Sequence, residues 1–159
     1  MQKREDMNFD DRVAELGIEL PDSIPPVGNY LRSMRTGNLL FVSGHLPDSA
    51  GPPSCTGKLG RDLTVEQGYR AAREAMIAML GTVRNELGTL DKVTRVVKLL
   101  GMVSSHEGFA QQPAVIDGAS DLLQEVFGNV APHARSAVGM AELPRNNCVE
   151  IEGIFEFAT

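Results

Sequence analysis

Hydrophobic positions along this chain recur with two periods, and the alternation between them outlines the fold. From Thr64 to Leu87, the residues Val65, Tyr69, Ala72, Met76, Met79 or Leu80, Val83 and Leu87 return every three or four positions. That spacing places them on one stripe of a helix. Thr64 with Gln67 three residues on has the form of a capping box, and Gly88 suits the residue after the last turn. A second helix is predicted from about Pro113 to Phe127, with the stripe Val115, Ile116, Ala119, Leu122, Leu123 and Val126. It stops at Gly128, and Gly118 inside it lowers its intrinsic helix propensity. Phe9, Val13 and Leu16 predict a short helix over Phe9–Leu16 that ends at Gly17.

The other period is two. Within Cys148–Phe157, the positions Val149, Ile151, Gly153, Phe155 and Phe157 alternate with Glu150, Glu152, Ile154 and Glu156. A strand with this pattern turns the first set toward covering helices and the carboxylates to the opposite face. Val93–Val103 is almost continuously apolar, interrupted by Arg95 and Lys98, as suits a strand covered on both faces. Asn29–Met34 and Leu39–Ser43 read as strands joined through Thr36-Gly37-Asn38, with Ser43-Gly44 closing the second, and Ala134–Ala141 reads as another strand. Pro21, Pro25 and Pro26 force an extended connection before them. Asp48–Gly60, rich in Gly, Pro and Ser, reads as a loop.

The resulting order is strand, strand, long helix, strand, helix, strand, strand. It predicts an α+β fold in which two helices cover one face of a mixed sheet. The other face is expected to carry Glu150, Glu152 and Arg135. Since the Val93–Val103 strand is apolar on both sides, that face is expected to be covered by further copies of the chain.

Composition narrows the function. The 159 residues suit one domain, and the formal net charge of −6 comes with no basic stripe, so nucleic acid is not an expected partner. The N-terminal MQKREDMNFDD is too charged for a signal peptide and no apolar run reaches transmembrane length, so a soluble cytoplasmic protein without a membrane partner is expected. Cys55 and Cys148 lack metal-ligand spacing and read as reduced thiols. His45, His106 and His133 form no H-x-H or H-x-x-x-H pair, so no metal site is expected. Nucleotide-binding glycine motifs are missing, and Ser43 and Ser136 lack G-x-S-x-G surroundings, so neither a nucleotide cofactor nor a hydrolase triad is implied.

Several segments resemble one family. These are Tyr30 before a strand, Val42-Ser43-Gly44-His45-Leu46-Pro47, Gly88-Thr89-Leu90-Asp91-Lys92-Val93, His133-Ala134-Arg135-Ser136-Ala137-Val138 followed by Leu143-Pro144, and Val149-Glu150-Ile151-Glu152. Together they resemble the RidA/YjgF/UK114 family of reactive-imine deaminases from about Gly28 to the end, leaving residues 1–27 as an N-terminal extension with a short helix. The resemblance implies a chorismate-mutase-like fold, a homotrimer whose sheets form a central barrel, and sites in clefts between subunits. It implies cofactor-independent hydrolysis of small 2-imino or enamino acids to 2-oxo acids and ammonia.

By position, Arg135 matches the family's carboxylate-binding arginine and Glu150 the acidic residue that holds the attacking water. Tyr30, Ser43 and Gly44 match site-lining positions. Three residues depart from the pattern. Ala137 stands where many members have cysteine, Asp117 where an asparagine often faces the site, and His45 where glutamine is common. An extra negative charge at Asp117 is expected to repel a carboxylate substrate.

The residues themselves suit that chemistry. The planar fork of Arg135 can hold a carboxylate bidentately, the alternative being a structural salt bridge to Glu150 or Glu152. Glu150 can orient water or take a proton, or serve as a solvated or subunit-facing carboxylate. Arg135 and Glu150 are expected to reach one bound molecule from neighbouring strands. Tyr30 can donate a hydrogen bond or simply pack, and Ser43-Gly44 can present backbone amides or merely turn the chain. His133, two residues before Arg135, can assist proton transfer or be a structural histidine. Two other functions stay open: a trimer that binds a small carboxylate metabolite without turnover, and a ribonuclease, which the acidic charge disfavours.

Overall fold

The computed structural model describes residues 8–47 and 55–159. Part of the expected 48–60 loop, residues 48–54, therefore lies outside the described residues. Its elements are α1 (Phe9–Glu15), β1 (Ser33–Thr36), β2 (Leu39–His45), α2 (Val65–Leu87), β3 (Val93–Ser104), α3 (Gln112–Phe127), β4 (Ala134–Met140) and β5 (Val149–Phe157). One five-stranded sheet runs in the order β1-β2-β5-β3-β4. Only β3 and β4 are parallel, as the α3 crossover between them requires. The other neighbours run antiparallel. The last strand thus inserts between β2 and β3 at the centre of the sheet.

Both long helices lie on one face. The capping box at Thr64 and Gln67 is formed in both directions, and Gly88 ends α2 at φ +85°. Their stripes meet the sheet through a core that includes Met76, Met79, Leu99, Ile116, Leu123 and Phe155, each fully buried. The period-two reading of β5 holds: Val149, Ile151, Gly153, Phe155 and Phe157 are buried, while the intervening positions are half-buried or exposed. Gly118 is where α2 and α3 touch. A Cβ there would lie 2.0 Å from the Tyr69 carbonyl oxygen, so the helices approach closer than any other side chain allows.

The first hairpin departs from expectation. Its turn is as read, with Thr36 paired to Leu39 and Gly37 at φ +56°. However, β1 begins at Ser33 rather than Asn29. The preceding residues are held instead by Ser43, whose N–H donates to the Arg32 carbonyl at 2.9 Å and whose hydroxyl donates to the Leu31 carbonyl at 2.7 Å. β2 also does not close at Ser43-Gly44. It continues to His45 through a bulge, since Val42 pairs with Gly153 but His45 with Ile151, so that Ser43 and Gly44 together oppose Glu152.

On β3, Val93, Val96, Leu99, Gly101 and Val103 are buried beneath the helices, whereas Leu100 and Met102 are only half-buried on the open face. That face also carries the exposed or half-exposed Met34, Phe41 and Val138.

Candidate functional site

The residues singled out from the sequence fall into two groups on opposite faces of the sheet. Arg135 lies opposite the buried Leu99, and Leu99 lies opposite Gly153. Residues directly opposite one another share a face, so Arg135 faces the helices. Glu150 pairs with Met102, which pairs in turn with Val138, and these occupy the open face. The expectation that Arg135 shares a face with Glu150 and Glu152 is therefore corrected, as is the idea of neighbouring strands: β3 stands between β4 and β5. Strand alternation sets this. The pairing register puts Arg135 in line with Gly153, whereas Glu150 has the opposite parity.

The helix-face group centres on Arg135, whose side chain is 22% exposed. Its Nη1 donates to Asp117 Oδ1 at 2.8 Å and to Ser120 Oγ at 3.0 Å, and Nη2 points to the Pro113 carbonyl at 3.4 Å. The salt-bridge partner is thus Asp117, not Glu150 or Glu152. Asp117 and Ser120 lie three residues apart on α3 and so share a helix face. Behind them, His133 Nδ1 lies 2.7 Å from the Ala131 carbonyl, and its Nε2 lies 3.0 Å from Ser120 Oγ. With the proton on Nδ1, Nε2 accepts from the Ser120 hydroxyl, and that oxygen accepts from Arg135. His133 therefore fixes the serine that fixes the guanidinium. Ser120 was missed in the sequence; its only signal is the three-residue spacing from Asp117. Ala137 is also on this face, two residues along β4, and packs partly against the core.

The open-face group contains Tyr30, Ser43, Gly44 and Glu150. The bulge brings Gly44 against the Glu150 side chain, where no Cβ would fit. Half-burial pushes the Glu150 carboxyl above the ordinary carboxylate range, and the Glu152 charge adds to this. Tyr30 and Ser43 line a hollow of about 740 Å³ together with Lys98, Ser136, Glu152 and Ile154. Lys98 Nζ donates to Ser136 Oγ at 3.3 Å, which puts a cation in this hollow. The sequence showed Lys98 only as an interruption of an apolar run. Neither Arg135 nor Glu150 lines this hollow.

His45 belongs to neither group. It is buried, with Nδ1 2.7 Å from the Ser43 carbonyl and Nε2 2.8 Å from Thr82 Oγ1. Thr82 in turn lies 3.2 Å from Ser23 Oγ. Burial lowers the His45 pKa to about 4, a lowering the Ser43 carbonyl partly opposes and the Arg32 charge reinforces. The neutral ring thus bridges the bulge to α2. Contact with Cys55, together with burial, pushes the Cys148 thiol up, so it is no thiolate nucleophile at neutral pH. Among the described residues no group of three His, Cys, Asp or Glu side chains could hold a metal ion, and no helix is long and apolar enough to cross a membrane.

A family described as "YjgF/chorismate mutase-like, putative endoribonuclease" matches residues 10–156. Protein TCP17 of Trypanosoma cruzi is 44% identical over 142 residues, 89% of this chain and 89% of that protein. A 2-iminobutanoate/2-iminopropanoate deaminase of Dermatophagoides farinae is 30% identical over 137 residues, 86% of this chain and 92% of the relative. Among solved structures, a protein of unknown function from Agrobacterium tumefaciens superposes with a TM-score of 0.87 at 44% identity, covering 94% of this chain and 92% of its own. With this sheet, these helices and these matches, the chain belongs to the YjgF/chorismate mutase-like family.

Proposed function

We propose that this protein hydrolyses small reactive 2-imino or enamino acids to 2-oxo acids and ammonia, without a cofactor, in clefts between the copies of a homotrimer. The observation that carries the reading is the placement of Arg135 and Glu150 on opposite faces of one sheet. A molecule touching both needs the Arg135 edge of one copy beside the open face of another. That open face supports such packing, because Phe41 is 41% and Met34 55% exposed beside the half-buried Leu100 and Met102. Three copies turning these faces inward would form the central barrel, and a closed ring repeats one heterologous interface.

In that cleft Arg135 holds the substrate carboxylate, and Ser120 and Asp117 fix the guanidinium's plane. Glu150 orients water at the imine carbon. Its raised pKa brings its basicity closer to that of a base working near neutral pH. The water oxygen bonds to the carbon, the C–N bond breaks, and an iminium acid plus water becomes a 2-oxo acid plus ammonium. The deaminase among the relatives supports the reaction class.

The test is a coupled assay of 2-oxo acid and ammonia from an imino acid generated in situ. The wild type is expected to exceed buffer hydrolysis and Arg135→Ala to fall to the buffer rate. A wild type no faster than buffer sinks the proposal. One observation favours a second reading, a carboxylate-binding trimer without turnover: Arg135 is already paired with Asp117. Ligand-induced thermal stabilisation without product would select it. Ribonuclease activity fits poorly with a net charge of −6.

A further inference from the structure

The Arg135 site carries a cation and an anion side by side. Nη1 of the guanidinium is occupied by both Asp117 Oδ1 and Ser120 Oγ, while the Nη2 contact to Pro113 is long at 3.4 Å. The Nη2 edge therefore keeps donor capacity for a ligand carboxylate. Asp117 keeps capacity too. Its side chain is 50% exposed, and a carboxylate accepts more than one hydrogen bond.

Charge then decides which ligand fits. Arg135 and Asp117 sum to zero, so a simple monoanion gains attraction from one and repulsion from the other. A small dipolar molecule gains from both when its carboxylate meets Arg135 and a positively charged nitrogen meets Asp117. Specificity is a difference of affinities, and a repulsive group against the wrong ligand serves as well as an attractive one for the right ligand.

We infer that Asp117 is a specificity-determining residue, which makes the Arg135 site select small acids bearing a cationic nitrogen on the adjacent carbon over the corresponding 2-oxo acids. This deepens the proposed function, because it rests on Arg135 as the carboxylate-holding group. A protonated 2-imino acid is such a dipolar molecule, and the 2-oxo acid left after hydrolysis has lost the cation. Asp117 then favours substrate and helps expel product.

The test is calorimetric titration of the full-length assembled protein with alanine and with pyruvate, which differ in that nitrogen. In the wild type alanine is expected to bind tighter than pyruvate by about tenfold or more. In Asp117→Asn the preference is expected to vanish or invert as pyruvate binding tightens. Asp117→Glu, which keeps the charge, is expected to retain a preference for alanine. Equal or tighter pyruvate binding in the wild type, binding of neither, or an unchanged ratio in Asp117→Asn overturns the inference. Turnover is measured separately: selectivity without deamination sinks the proposed reaction and leaves this inference standing, and deamination without selectivity does the reverse.

Discussion

Gly44 makes the space that the Glu150 carboxylate occupies. A Cβ at position 44 would lie 2.0 Å from Glu150 Oε1 and 2.9 Å from its Cδ. The obstacle is the far end of a flexible side chain, not backbone, and the φ of Gly44 lies outside the left-handed region. Steric strain can therefore be relieved by swinging the carboxylate away. Gly44→Ala is expected to change unfolding free energy by less than about 1 kcal/mol, as surface-accessible substitutions usually do. The same swing removes Glu150 from its position, so under the proposed function 2-oxo acid formation is expected to fall at least tenfold, a misplacement cost typical of oriented catalytic groups. Denaturant melts paired with the coupled assay read both effects; equal losses of stability and activity would contradict this account.

His45 makes a different prediction, about pH. Its pKa in the folded chain is about 4, against an ordinary value of 6.5. Between those values the unfolded chain takes up a proton that the folded chain refuses, so stability falls as pH falls. The contribution is complete above about pH 6.5 and is lost progressively toward pH 4, amounting to about 3 kcal/mol at most. Urea midpoints of the wild type are expected to drop over this window more than those of His45→Gln, which cannot titrate. Parallel pH profiles would show that the buried ring is not the cause.

Much of the architecture was legible because it rests on periodicity. Both long helices and the faces of β5 follow from spacings of three to four and of two, and the α2 caps and the first turn from the residue types at Thr64, Gln67, Gly88 and Gly37. What escaped reading is long-range. The bulge at Ser43-Gly44 arises from how β2 meets β5, and no local pattern marks it. The opposite facing of Arg135 and Glu150 depends on register through an intervening strand. The resemblance puts Asp117 at a site-facing position and its charge reads as a repulsion, but its partnership with Arg135 joins α3 to β4 across 18 residues and has no local mark. Lys98 and Ser120 were passed over for the same reason.

Gly118 shows the limit most sharply, since propensity points the wrong way there. Alanine in a helix interior is favoured over glycine by about 1 kcal/mol. Yet a Cβ at this position meets backbone, the Tyr69 carbonyl oxygen, which cannot rotate aside. Gly118→Ala is expected to destabilise by about 1–3 kcal/mol through forced separation of α2 and α3. Thermal or denaturant unfolding checks the sign; a stabilised variant would mean the helices are not in backbone contact.

Arg135 and Glu150 allow a test of the shared cleft that needs no ligand structure. Because they lie on opposite faces of the same chain, the proposed function requires a cleft that takes the arginine from one copy and the glutamate from another. Arg135→Ala and Glu150→Gln are each expected to abolish turnover when expressed alone, since every cleft then lacks one partner. When the two variants are co-expressed and assemble at random, some clefts combine the intact arginine of one with the intact glutamate of the other. With equal mixing that is about a quarter of all clefts in a ring of identical interfaces. Activity of the co-expressed protein is therefore expected to recover to about a quarter of wild type per cleft. If both residues served one site within a single chain, every site would still carry a lesion and no activity would return. Light scattering on the same preparation separates the remaining case, because a monomeric protein would have no cleft to reconstitute.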